Sequence, residues 1–140
     1  MGKVVVLLVD DEKDIRTLSI LQIKRNIPDQ QFEFFEAGNG EEALVLLRQG
    51  LKPSLIILDY AMPKVNGIEF LRKIATDHDD LCAVLRIMIS GYLPEDIKSE
   101  VQRLECDFFE KGMDVKSFYQ QICRHIASRL GFAQEMSGRK

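Results

Sequence analysis

Val4-Val5-Val6-Leu7-Leu8-Val9 runs directly into Asp10-Asp11-Glu12. An unbroken, largely β-branched apolar run with no polar alternation predicts a strand buried on both faces, the habit of a parallel sheet. Outward from it the chain alternates between such runs and helical patterns. Residues 14–27 carry Ile15, Leu18, Leu21 and Ile23 at loosely helical spacing and stop before Pro28, because a proline disfavours helix in the residue before it. Phe32–Glu36 is a more polar strand, as expected at a sheet edge. Residues 40–49 form a helix with Ala43, Leu44, Leu46 and Leu47, closed by Gly50. Leu55–Leu58 is a fully apolar central strand. Ile68, Leu71, Ile74 and Ala75 mark a third helix, and Val84–Ile89 a fourth strand. Pro94 suits the first turn of a helix through Ile97, Val101 and Leu104. Asp107–Phe109 is a brief fifth strand. Val115, Phe118, Tyr119, Ile122, Ile126 and Leu130 form the core-facing stripe of a last helix.

Five strands separated by single helices predict a doubly wound (βα)5 α/β domain with parallel pairing and right-handed crossovers. The 140 residues suffice for one such domain with a real core. A composition of 46% hydrophobic and 29% charged residues is that of a globular protein. The net charge of −3 argues against nucleic acid as a direct partner, and no apolar run approaches the ~18 residues of a membrane span. The cysteines Cys82, Cys106 and Cys123 lack metal-type spacing and predict reduced, buried thiols in a cytoplasmic protein.

An open parallel sheet places its ligand outside the carboxyl ends of its strands. Those ends carry Asp10 and Asp11 after the first strand, Asp59 after the third, Ser90 after the fourth and Lys111 after the fifth. Crowded carboxylates raise one another's pKa values, and a divalent cation offsets their repulsion. Ligands that are all oxygen favour Mg²⁺ or a similar hard ion. A lysine and a hydroxyl beside them suit an anionic, most plausibly phosphoryl, substrate. Any one of the three aspartates taken alone is a common turn former or helix cap; all five residues together on one edge are not so explained.

Three features look functional and read otherwise. Gly38-x-Gly40-x-x-Ala43 nearly matches a dinucleotide fingerprint, but it follows the polar second strand and stands beside Asp10 and Asp11. It predicts turn glycines at a helix start. His78 lies in a polar stretch without a spaced partner for a metal, and His125 is expected near the exposed side of the last helix.

The segments LLVDDE (7–12), EAGNGEEAL (36–44), LIILDYAMPKVNGIEFL (55–71), MISGY (88–92) and DFFEK (107–111) resemble the response-regulator receiver family of two-component signalling, over about residues 3–130. The resemblance implies a flavodoxin-like fold with strand order 2-1-3-4-5, a receiver domain at 1–130, and a tail or linker start at 131–140. It implies Asp59 as phosphoacceptor, Asp11 as a direct Mg²⁺ ligand, Asp10 as one acting largely through water, and the backbone carbonyl of Ala61 as a further ligand. Ser90 would close on the phosphoryl group, Lys111 would pair with it, and Phe108 would turn inward on activation. Pro63 and Gly67 match the loop after the acceptor, while Ala61 and Tyr92 match positions that gate the hydrolytic water. The implied activity is a phosphoacceptor switch, with self-catalysed phosphotransfer and autodephosphorylation only. Its partners would be a sensor histidine kinase or phosphotransfer protein and a downstream effector. Two rivals are a phosphorylation-independent interaction domain of the same fold and a metal-dependent phosphohydrolase; the latter wants an acid where Ala61 stands.

Gly112 departs from the family's usual proline after the lysine. A cis bond before a non-proline costs ~3–4 kcal/mol against ~0.5–1 before proline, so the Lys111–Gly112 bond is expected to be trans. Phe108 has no hydroxyl, so its switching would act through packing alone.

Overall fold

A computed structural model describes residues 2–81, 83–112 and 114–132. In chain order the elements are β1 (Val4–Val9), α1 (Lys13–Asn26), β2 (Phe32–Ala37), α2 (Gly40–Arg48), β3 (Leu55–Asp59), α3 (Gly67–Asp77), β4 (Leu85–Ser90), α4 (Glu95–Arg103), β5 (Asp107–Glu110) and α5 (Val115–Leu130), with a 3₁₀ turn at Asp79–Leu81 before β4. The strands form one parallel sheet in the order β2-β1-β3-β4-β5. The flavodoxin-like (βα)5 fold is therefore as expected. The chain steps outward from β1 to β2, then crosses back over β1 to β3 and continues the other way, which opens a crevice between β1 and β3 at their carboxyl ends.

Side-chain alternation along the buried strands divides the core in two. Leu7, Val9, Ile56, Leu58 and Met88 face α2, α3 and α4. Val6, Leu8, Leu55, Ile57, Ile87 and Ile89 face α1 and α5. Edge strand β2 is only partly buried, and its Phe32 and Phe34 pack toward the second cluster.

Local signals start and stop the helices. Asn66 and Glu69 form a reciprocal capping box at α3, Asn39 accepts the Glu42 N–H at α2, and Asp114 accepts the Ser117 N–H at α5. Gly131 ends α5 in the left-handed region at φ 79°. Phe132 then turns back, donating to the Ala127 carbonyl at 2.8 Å and meeting the Phe32 ring edge-on.

Several expectations are corrected. Leu21 is 59% exposed, because it lies two residues, about 200° of helix, from the inward-facing Ser19 and Ile23. The inward face of α1 carries a hydroxyl instead: Ser19 and Tyr119 share a buried hydrogen bond of 2.7 Å. Val115 is exposed because α5 begins there, before its stripe reaches the sheet. Ala75 is exposed too, and the inward face of α3 is filled by Phe70. Pro94 is the N-cap of α4, with ψ extended at 157°, so helical dihedrals begin at Glu95.

Gly40 and Gly67 are glycines of close approach. A Cβ at Gly40 would lie 2.6 Å from the Val65 carbonyl oxygen, which gives the near-fingerprint glycine a packing role. At Gly67 it would lie 2.7 Å from the Asp59 carbonyl oxygen and 2.8 Å from the Met88 methyl. Gly67→Ala is expected to cost about 1–3 kcal/mol in urea unfolding. Gly91→Ala, with open space around it, should stay within about 0.5 kcal/mol of the parent.

Candidate functional site

Strand register builds the site. Val9 pairs with Leu58, so Asp10, one residue beyond, is level with Asp59 on the neighbouring strand. Asp59 pairs with Ile89, and Ser90 with Glu110, which brings Ser90 and Lys111 to the same edge. The Lys111 N–H closes this corner by donating to the Ser90 carbonyl at 2.8 Å. Asp10, Asp11 and Asp59 each offer a carboxylate oxygen, and the three oxygens lie within 4.8 Å of one another. Such a set of hard oxygen donors fits a divalent cation of the Mg²⁺ type.

The electrostatics are those of a site short of positive charge. Asp59 is half-buried, and its carboxyl is pushed up to about 6, chiefly by burial and next by the charge of Asp10; Lys111 and the backbone N–H groups of Tyr60 and Ala61 oppose the rise. Burial also raises the Asp10 carboxyl, against a hydrogen bond from the Glu12 N–H and the pull of Lys111. Lys111 is exposed. Its bond to Gly112 is trans, since no cis peptide occurs among the described residues.

The loop after β4 is held from two sides. The Ser90 hydroxyl is buried and donates to the Tyr92 carbonyl at 3.2 Å. The Leu93 N–H donates to the Glu110 carboxylate at 3.0 Å. Lys98 from α4 pairs with the same carboxylate at 3.5 Å and with Glu95 at 3.4 Å. Its ammonium also stands 5.8 Å from the centre of the Phe108 ring, which packs partly buried against the first core cluster. Tyr92 is 73% exposed, and Ala61 and Pro63 are exposed on the loop after Asp59.

The remaining candidates fall outside the site. His78 is the C-cap residue of α3. His125 corrects its expected exposure: it is partly buried, 2.7 Å from the Asp107 carboxylate, and set edge-on to Phe109. Arg129 joins the same carboxylate at 2.9 Å. Cys106 and Cys123 are buried free thiols, each pushed up to about 12 by burial. Cys82 lies outside the described residues. Sequence reasoning gave no role to Glu110, Arg16 or Glu36. Glu110 adjoins Lys111 in DFFEK, and that adjacency was the available signal.

The sequence profile of the response regulator receiver domain matches residues 6–122. The chain belongs to this family. An uncharacterised response regulatory protein of Staphylococcus epidermidis is 36% identical over 114 residues, which cover 78% of this chain and 41% of that protein. The phosphorylated cyanobacterial phytochrome response regulator RcpA has the same fold, at a TM-score of 0.79 and 24% identity over 96% of this chain and all 100% of that one. The Mn(2+)-bound form of response regulator Rcp1 superimposes at a TM-score of 0.73 and 26% identity over 89% of this chain and 91% of that one. The chain spans 28% and 41% of the lengths of two curated relatives, less than half of each. A receiver domain serves phosphorelay signalling as a phosphoacceptor switch and not as an enzyme in the ordinary sense.

The raised Asp59 pKa has a stability consequence in this receiver domain. Between about 3.8 and about 6 the folded carboxyl keeps a proton that the unfolded chain releases, so stability falls as pH rises through that window and the deficit is complete above it. Discounted for solvent screening of a half-buried group, the deficit is about 1–2 kcal/mol. In chelator at pH 7, Asp59→Asn should be more stable than the parent by that amount in denaturant unfolding. The advantage should vanish below about pH 4.

Proposed function

We propose that this receiver domain accepts a phosphoryl group on Asp59 from a sensor histidine kinase or phosphotransfer protein, with Mg²⁺ held by Asp10, Asp11, Asp59 and the Ala61 backbone carbonyl. The convergence of three carboxylate oxygens within 4.8 Å, opposed by Lys111, carries the reading. Bound Mg²⁺ would supply charge neutralisation, both among the carboxylates and on the phosphoryl oxygens. An ionised Asp59 oxygen attacks phosphorus, the bond from phosphorus to the donor's imidazole nitrogen breaks, and that nitrogen leaves with the electron pair. Lys111 and the Ser90 hydroxyl would hold the transferred oxygens. The Mn(2+)-bound form of Rcp1 supports the binding of a divalent cation by a protein of this fold.

Switching follows from the loop after β4. A Ser90 hydroxyl turned toward the phosphoryl group would abandon the Tyr92 carbonyl. The loop that Glu110 restrains through Leu93 could then shift, and Phe108 would repack with it. The changed face of α4, β5 and α5 would meet a downstream effector. Residues 1–130 are read as the receiver unit, with a tail or linker start at 131–140, of which residues 133–140 lie outside the described residues. No helix among the described residues is long and apolar enough to cross a membrane, and the free thiols suit a cytoplasmic setting.

Incubation with acetyl phosphate and Mg²⁺ should add one phosphoryl group by intact mass, and Asp59→Asn or chelator should abolish it. No adduct on the folded parent would favour a phosphorylation-independent interaction domain. Calorimetric Mg²⁺ affinity should weaken by up to about tenfold per pH unit as pH falls below about 6, because a proton on Asp59 competes with the cation.

A further inference from the structure

Arg16 is unused by the reading above, yet it is among the least exposed charged side chains near the site. It stands in the first turns of α1 with a side chain only 15% exposed. Its Nη1 donates to the backbone carbonyl of Asp10 at 2.6 Å, and its Nε donates to the Glu36 carboxylate at 2.9 Å. The carbonyl it grips belongs to the peptide bond between Asp10 and Asp11, the two acidic residues that follow β1. The other side of Asp10 is held as well, since its N–H donates to the Ala37 carbonyl at 3.1 Å. Glu36 and Ala37 are the last two residues of β2. Both backbone groups of Asp10 are thus anchored to the same strand end, one directly and one through a guanidinium.

We propose that Arg16, braced by Glu36, is a positioning residue for the cation site, fixing the Asp10–Asp11 peptide plane so that both carboxylates face Asp59. The inference rests on the Mg²⁺ reading of that site. Three carboxylates that repel one another drift apart unless the backbone bearing them is held, and a cation then has to gather them at its own expense. A rigid loop removes that cost before the ion arrives. Arginine suits the task better than lysine. Its planar fork presents separate N–H groups in fixed directions to two different acceptors, whereas an ammonium offers a point charge on a flexible stem. Edge strand β2 gains a role by this route. Through Glu36 it serves as the fixed wall against which the β1 loop is set.

The test is calorimetric titration of Mg²⁺ into the folded, unphosphorylated domain, with unfolding in chelator recorded alongside. Arg16→Ala should weaken Mg²⁺ binding by about tenfold or more while remaining folded in chelator. Glu36→Gln, which keeps Arg16 but loosens its brace, should give a smaller loss in the same direction; it decides the matter if Arg16→Ala does not fold. Arg16→Lys should recover only part of the affinity. Parent-like affinity in Arg16→Ala, or full recovery by Arg16→Lys, would overturn the positioning role while leaving the cation site intact. A parent domain that binds no Mg²⁺ would instead sink the reading on which this one stands.

Discussion

Asp10 and Asp59 are carried one step past the paired ends of adjacent parallel strands, so the fold itself forces their negative charges together. Strand register leaves no freedom to separate them: Val9 is level with Leu58, and whatever follows must share the crevice. Much of the neighbourhood answers that repulsion. Lys111 lowers both carboxyls, the N–H groups of Tyr60 and Ala61 point at Asp59, and Glu12 donates its N–H to Asp10. These compensations are incomplete, because burial removes the water that would otherwise screen the charge. The residual imbalance leaves the crevice acidic and short of positive charge.

The fold was legible wherever apolar residues ran unbroken. β1 and β3 are covered on both faces, and their runs admit little else. Where burial is one-sided the reading was weaker. α1 presents Ser19 and Ile23 to the core, and the hydroxyl of Ser19 is explained only by Tyr119, a hundred residues on. Nothing local announces such a pair. Leu21 drew attention by its type, although its angular position turns it to solvent.

The same division holds at the candidate site. Residues that terminate strands could be found because topology tells where to look. Supporting residues could not, since each acts on a partner far along the chain. Glu110 restrains Leu93 across 17 positions, and Arg16 reaches Glu36 across 20. His125 also went astray for this reason: an outward-seeming helix position is drawn in by Asp107, 18 residues earlier. Periodicity describes one element at a time, whereas these contacts are set by how elements meet.

The sheet separates two apolar layers that share no side chain. Phe108, Leu93, Ile97 and Val101 all belong to the layer beneath α2, α3 and α4; Tyr119, Ile122 and Ile126 of α5 belong to the other. The backbone of the strands stands between them as a partition, so Phe108 and the inward side chains of α5 meet only across the sheet. The protein is thereby divided into two flanks, each packed on its own face of one shared sheet.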